Sequence, residues 1–303
     1  MADLSVNLAG CRLANPVLLA SGTCNYGEEL AELTDLSGLG GVITKTITPS
    51  PRAGNPAPRI VETPAGLLNA IGLQNPGIDA FIAHRWPFLQ KLNTRIVVNI
   101  AADTVEEFAR MAVRLDRLQG IAALEINISC PNLKQGGMAF GVDPASAAAV
   151  VRAVKQATEL PVIVKLTPNV TDITQVATAV EAAGADAVSL INTLVGMAVD
   201  VNLRRPVLGN ITGGLSGPAI KPVALAMVWK VHRAVRLPVL GIGGIRTGRD
   251  ALEFIIAGAT AVQVGTATFT DPNAGIAIVR ELHQYCVDQG ISRLSDLTGS
   301  LAT

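Results

Sequence analysis

The chain has 303 residues, enough for one large α/β domain, and its 49% hydrophobic content includes only 3% aromatics, so Ala, Val, Ile and Leu must fill the core. The formal net charge is zero, which leaves no basic surplus for nucleic acid or anionic lipid and points to a small molecule or another protein as partner. Four cysteines, Cys11, Cys24, Cys130 and Cys286, form no C-x-x-C pair, so neither a zinc site nor an iron–sulfur cluster is expected in this chain.

The N-terminus, Met1-Ala2-Asp3-Leu4-Ser5-Val6-Asn7, has no basic segment followed by an apolar run, so no signal peptide is expected. Sparse cysteine suits a reducing compartment, and a cytoplasmic location follows as the expectation. Aliphatic and β-branched runs then read as buried parallel strands at 17–20, 42–46, 96–100, 123–128, 162–166, 187–191, 239–242 and 261–264. Amphipathic stretches at 105–118, 144–158, 173–183, 218–235 and 248–257 read as helices between them. Eight strands alternating with helices predict an α/β fold of the (β/α)8 TIM-barrel type, a single domain over 1–303. An open doubly wound sheet is the alternative; no G-x-G-x-x-G follows the first strand, which argues against it. The longest uncharged stretch, 254–270, contains Gln263 and is broken by Gly258 and Gly265, so it reads as helix end, turn and strand and not as a membrane span.

Two connections are long. Residues 49–77 are rich in Pro, Gly and Asn, and residues 194–217 are broken by Gly196, Pro206, Gly209 and Gly213-Gly214. Loops of this length in a compact domain are usually lids or binding loops, although decoration or a subunit contact would also explain part of each.

The strand ends carry unusual polar content. In chain order they read Ala20-Ser21-Gly22, Lys45-Thr46, Asn99, Asn127 with Cys130, Lys165, Asn192-Thr193, Gly243-Gly244 and Gly265-Thr266. Eight consecutive ends of this kind favour one shared pocket. In Asn127-Ile128-Ser129-Cys130-Pro131-Asn132, a thiol able to act as a base is flanked by amides suited to a ring with alternating C=O and N–H groups. A buried structural cysteine at a Pro turn is the other reading of that hexapeptide alone. The small-residue turns after strands seven and eight suit a phosphate, because glycine lets backbone N–H groups approach the anion; tight strand-to-helix turns would also need glycine. Lys45 and Lys165, each ending an apolar run, suggest an anionic ligand or a reaction that develops negative charge. His84, His232 and His283 fall in helical segments and read as packing or surface residues. Glu125 lies inside strand four, where a buried partner such as a lysine is expected.

Three long motifs, Asn69-Ala70-Ile71-Gly72-Leu73-Gln74-Asn75-Pro76-Gly77, the hexapeptide around Cys130, and Gly213-Gly214-Leu215-Ser216-Gly217-Pro218-Ala219-Ile220-Lys221-Pro222, resemble the class 1 dihydroorotate dehydrogenases. Gly136-Gly137-Met138-Ala139-Phe140-Gly141, Asn169-Val170-Thr171-Asp172-Ile173 and Thr266-Ala267-Thr268-Phe269 are most similar to the NAD-linked class 1B catalytic subunit. The resemblance runs essentially end to end. It implies a TIM barrel with FMN at the strand C-termini that oxidises dihydroorotate to orotate in pyrimidine synthesis.

By motif, Cys130 would remove the C5 proton while the C6 hydride passes to the flavin. The resemblance assigns the substrate to Lys45, Asn69, Ala70, Ile71, Gly72, Leu73, Asn127, Asn192 and Thr193. It assigns FMN to Ser21, Lys45, Thr46, Asn99, Asn127, Lys165, Ile191, Gly217, Gly243, Gly244, Gly265 and Thr266. Lys165 would stabilise the charge gathering at the edge of the reduced ring, worth about 2–4 kcal/mol. No metal site is implied. Electrons would leave through a partner subunit carrying FAD and a [2Fe–2S] cluster, in a heterotetramer built on a homodimer of this chain. A fumarate-linked class 1A enzyme would need no partner, and a dihydropyrimidine dehydrogenase-type flavin barrel is a further alternative. Cys24 is a second thiol near the first strand end that could compete in labelling experiments.

Overall fold

Eight parallel strands close into a barrel in the computed structural model, which describes residues 2–129 and 140–302. They are β1 (Val17–Leu19), β2 (Gly41–Ile43), β3 (Arg95–Ile100), β4 (Ile121–Asn127), β5 (Val162–Lys165), β6 (Ala187–Leu190), β7 (Val239–Ile242) and β8 (Ala261–Val264). Their order around the barrel is the chain order, and β8 returns to pair with β1 through Val262 and Val17. The expected (β/α)8 architecture is therefore what forms.

Strand two differs from its expected extent. Thr44 and Ile47 donate backbone hydrogen bonds to Val97 and Asn99 of β3, but the Lys45 N–H turns away to the Asn25 carbonyl at 2.8 Å. This break in the ladder lifts Lys45 and Thr46 out of the strand and onto the barrel rim.

Five of the expected helices are present, at Val105–Asp116, Pro144–Lys155, Ile173–Ala182, Lys221–Ala234 and Gly248–Ile256. Four begin at a side-chain cap. Thr104, Asp143, Asp172 and Thr247 each accept a hydrogen bond from a first-turn N–H, and Thr247 forms a reciprocal box with Asp250. A sixth long helix, Ala274–Asp288, follows β8. The three histidines lie in helical turns, as expected, with His84 in the π turn Phe81–Arg85.

Each barrel strand sends one apolar residue inward to a common layer: Leu18, Ile43, Val97, Ala123, Ile163, Ala187, Leu240 and Ala261. Val6, Leu8 and Leu13 pack onto this layer from a short antiparallel hairpin, Val6–Leu8 with Cys11–Leu13. The hairpin stoppers the end of the barrel at which the strands begin. Its strands are three residues long, too short to show a period in the sequence.

The two long connections are not irregular loops. Ile60–Thr63 and Gly66–Asn69 form one hairpin, Leu194–Met197 and Thr212–Ser216 form another, and the two join edge to edge. The joint is antiparallel, with Leu67, Leu68 and Asn69 opposite Ser216, Leu215 and Gly214. One four-stranded sheet thus stands over the barrel end at which the strands finish. Among the described residues, no helix is long and apolar enough to cross a membrane, and no group of three or more His, Cys, Asp or Glu could hold a metal ion.

The hairpin stopper is an integral part of the core. Leu13 is 1% exposed, so Leu13→Ala should lower unfolding free energy by about 2–5 kcal/mol. Denaturant titration checks this; a loss near zero would show that the hairpin merely decorates the barrel.

Candidate functional site

A cavity of about 810 Å³ lies between the strand C-termini and the accessory sheet. It falls within the roughly 300–1,000 Å³ typical of ligand sites. Its floor and walls come from separate strand ends, as expected for a barrel site.

Ser21 follows β1, Lys45 and Thr46 follow β2, Asn127 and Lys165 end β4 and β5, and Ile191, Asn192 and Thr193 follow β6; all line the cavity. So do Gly243 and Gly244 after β7, and Gly265 and Thr266 after β8. The accessory sheet and its following turn bring Asn69, Ala70, Ile71, Gly72 and Leu73, and Gly217 closes one side. The structure therefore gathers the expected residues into one cavity with two exceptions. Cys130 lies outside the described residues. Asn99 is fully buried and does not line the cavity; its backbone brackets the rim segment from behind, donating to Thr44 Oγ1 at 3.1 Å and accepting from the Ile47 N–H.

Local hydrogen bonds hold these groups in place. The Ser21 and Thr46 hydroxyls lie 3.5 Å apart across β1 and β2. Asn127 Oδ1 accepts from the Ser129 N–H at 3.2 Å, and the Ser129 hydroxyl donates to the Lys165 carbonyl at 3.3 Å. Asn192 Oδ1 accepts from the Thr193 N–H, and the Asn169 amide donates to the Thr193 carbonyl at 3.0 Å. Asn69 Nδ2 donates to the Gly214 carbonyl at 3.3 Å, tying the two accessory hairpins beside the cavity.

Two lysines line the cavity. Lys165 is 6% exposed, and Lys45 is half-buried, with burial pushing its ammonium below the usual lysine range. An anion beside either lysine would compensate for its lost hydration.

At the β7–β8 side, glycines Gly243, Gly244 and Gly265 line the cavity together with Arg246 and Thr266. Gly244 has φ +73°, and a Cβ there would come within 2.8 Å of the Lys221 Cβ and 2.9 Å of the Gly217 carbonyl oxygen. Only glycine fits this turn without displacing its neighbours. The Thr266 hydroxyl donates to Ser216 Oγ at 2.8 Å, which pins the end of the accessory sheet to the turn after β8.

These groups suit a flavin mononucleotide in kind. The glycine-bearing turns at β7 and β8 would take a phosphate, as small-residue turns at this place in barrels do. Lys165, Asn127, Ser21 and Thr46 offer donors and acceptors to a polar ring. A buried acceptor, Asn99 Oδ1, has no partner among the described residues.

Some features were not anticipated. Glu62, Leu67, Ser216, Arg246 and Phe269 also line the cavity. Glu62 and Leu67 lie within the long connection that reads as a binding loop, and Phe269 within a motif of the resemblance, but nothing local marks them individually. Cys24, in contrast, points away from the cavity into the core. Its Sγ sits 3.5 Å from the Ile43 carbonyl and 3.7 Å from the Ala20 carbonyl, and burial pushes the thiol up to about 12. Glu125 has no lysine partner among the described residues; three neutral donors surround it instead, from Asn99, Ser189 and Gln263.

Comparison with known proteins is consistent across the whole chain. The family model for dihydroorotate dehydrogenase matches residues 3–286. A protein of Geobacter sp. (strain M21), named dihydroorotate dehydrogenase B (NAD(+)), catalytic subunit, is 60% identical over 299 residues, covering 99% of this chain and 98% of the relative. Proteins of the same name are 59% identical in Geobacter sulfurreducens, over 99% of this chain and 98% of the relative, and 58% identical in Desulforudis audaxviator, over 98% and 96%.

A thiol pushed to about 12 carries almost no thiolate at pH 8. Cys24→Ser should therefore leave the time course of native thiol labelling at pH 8 unchanged, and differ from wild type by one thiol only after denaturation. Loss of a fast-reacting thiol from the native variant would place Cys24 in an accessible site.

Proposed function

Because the chain belongs to the dihydroorotate dehydrogenase family, we propose that it is the catalytic subunit of an NAD-linked enzyme that oxidises (S)-dihydroorotate to orotate in pyrimidine biosynthesis. The observation that carries the reading is convergence. Residues scattered from Ser21 to Thr266, assigned to FMN or substrate by motif alone, line one cavity at the strand C-termini.

The substrate is an anion with amide-like ring edges. Lys45 would face its carboxylate, whose charge favours the ammonium that burial disfavours. Asn69, Asn127 and Asn192 each offer an amide, able to donate and accept at once, to alternating ring C=O and N–H groups. The backbone of 70–73 would close over the ring, and Thr193 would support its edge. FMN, when bound, would supply a two-electron acceptor for the hydride leaving C6. Gly243, Gly244, Gly265 and Thr266 would hold its phosphate, and Ser21, Thr46, Asn99, Asn127, Lys165, Ile191 and Gly217 would hold the remainder.

Cys130 would take the C5 proton. It follows Ser129, a cavity-lining residue, directly in sequence. A thiolate is the competent form of this base, and an unperturbed thiol has a pKa of about 8.5. Lys165, buried at the floor, would place fixed positive charge where negative charge gathers as the hydride departs.

The sequence has no C-x-x-C pair and no dinucleotide fingerprint. As the class 1B resemblance implies, electrons would pass to NAD through a partner subunit bearing FAD and a [2Fe–2S] cluster, with two copies of this chain at the centre of a heterotetramer. The reaction would take place in the cytoplasm, and we read the whole chain as a single FMN-binding domain.

The purified chain should be yellow, and its visible flavin band should bleach on anaerobic addition of dihydroorotate. A colourless protein that takes up no FMN would overturn the reading. The chain alone should form no NADH; robust NADH production without a partner would sink the two-subunit assignment.

Cys130→Ala should bind orotate nearly as wild type does but slow flavin reduction by about 10²–10⁴-fold. In the wild type the same rate should climb with pH from neutral towards the thiol pKa. Near-normal reduction in the variant, measured by stopped-flow absorbance, would remove Cys130 from the role of base.

A further inference from the structure

Glu125 has no role in the chemistry above, yet it is a fully buried carboxylate directly under the site. It lies two residues before Asn127 on β4, so the two side chains share the inward face of the strand, Glu125 one layer below the cavity floor. Its three donors come from three other strands. Asn99 Nδ2 of β3 donates to Oε2 at 2.5 Å. The Ser189 hydroxyl of β6 and Gln263 Nε2 of β8 donate to Oε1 at 2.8 and 2.7 Å.

A carboxylate accepts and does not donate, so it fixes which way a neighbouring amide faces. Both amides here turn their NH2 groups to Glu125, and both amide oxygens turn away. Asn99 Oδ1 and Gln263 Oε1 are then buried acceptors with no partner among the described residues. Leaving a buried acceptor unpaired is costly, so each such atom calls for a partner from beyond the described residues. The Asn99 backbone pairs with Thr44 and Ile47, on either side of Lys45 and Thr46, which line the cavity.

We propose that Glu125 is a positioning residue: by anchoring the Asn99 amide NH2, it presents Asn99 Oδ1 as the acceptor for the imide N–H of a ring bound in the cavity. This rests on the functional reading above, in which Asn99 is among the residues that hold FMN, an imide-bearing ring. The acceptor polarity is set by the carboxylate and not by Asn99 itself, since an amide flipped end for end would offer N–H to N–H and repel the ligand. Glu125 touches neither ring. It acts through Asn99.

The test compares binding by apo-protein and by holoprotein. FMN affinity is read by quenching of flavin fluorescence on titration with apo-protein, and orotate affinity by perturbation of the flavin visible band in FMN-loaded protein. Glu125→Gln keeps the side-chain volume but places an NH2 among the donors, and so forces a flip. It should weaken FMN at least tenfold, with orotate affinity of the FMN-loaded protein as the control. The double substitution Glu125→Gln with Asn99→Asp exchanges carboxylate and amide across the same hydrogen bond and restores an acceptor towards the cavity. It should recover most of the loss, which a merely structural role for Glu125 would not produce.

FMN affinity within twofold of wild type in Glu125→Gln, or a folded double variant no better than the single one, would overturn the proposal. Should Glu125→Gln not fold, the double variant decides alone: binding both ligands within tenfold of wild type supports the proposal, and a folded protein that has lost more than tenfold for either overturns it. Wild-type apo-protein that takes up no FMN would overturn the functional reading itself, and the proposal with it.

Discussion

Two-residue alternation along closed parallel strands is the constraint on which the rest of the molecule depends. In each barrel strand, residues two apart face the same way, so one inward position stacks on the next. The lower inward layer is apolar, with Val97, Ala123, Ile163, Ala187 and Ala261 among its members. Two residues further along the same strands stand Asn99, Glu125, Lys165, Ser189 and Gln263. The barrel changes from a hydrocarbon core to a polar interior within a single step of the pleat, and above that step the cavity opens. A register slip of one residue would turn this polar layer outward among the helices, where no water or partner could satisfy it.

Burying such a layer is expensive unless its members satisfy one another. Glu125 receives three hydrogen bonds from uncharged donors rather than pairing with an ammonium. That choice leaves the ammonium of Lys165 free of any carboxylate ion pair among the described residues. A direct ion pair would have neutralised the positive charge that the proposed hydride transfer would use. Dispersing the negative charge over amides and a hydroxyl separates structural charge from working charge within a few residues of each other.

Much of this was legible in the sequence because the barrel signals are local. Strands β7 and β8 form over the residues expected, since Pro238 and Gly243 bound one and Thr260 and Gly265 bound the other. The helix starts follow from single capping residues such as Thr104 and Asp172. What stayed hidden was long-range. Nothing near Asn69 shows that it lies opposite Gly214, 145 residues away, so the accessory sheet read as two glycine-rich loops. The partners of Glu125 lie on three other strands and are neutral donors instead of the expected lysine, because local sequence does not show which inward residues meet. The N-terminal stopper is built from strands of three residues, below the length at which alternation can be seen. The site residues on the strand ends were readable for the opposite reason: polar groups ending apolar runs are conspicuous wherever they occur.

The closure of the barrel at β8 and β1 joins residues near the two ends of the chain, Val17 and Val262. Ser21 and the turn at Gly265 and Thr266 flank that seam, so one wall of the cavity comes into existence only when the last strand docks. A molecule in which this seam is open therefore lacks part of the site. A ligand that bridges the seam binds the closed barrel in preference to any open form, and so draws the folding equilibrium towards closure by mass action. Occupancy of the cavity and integrity of the barrel are thereby one linked equilibrium.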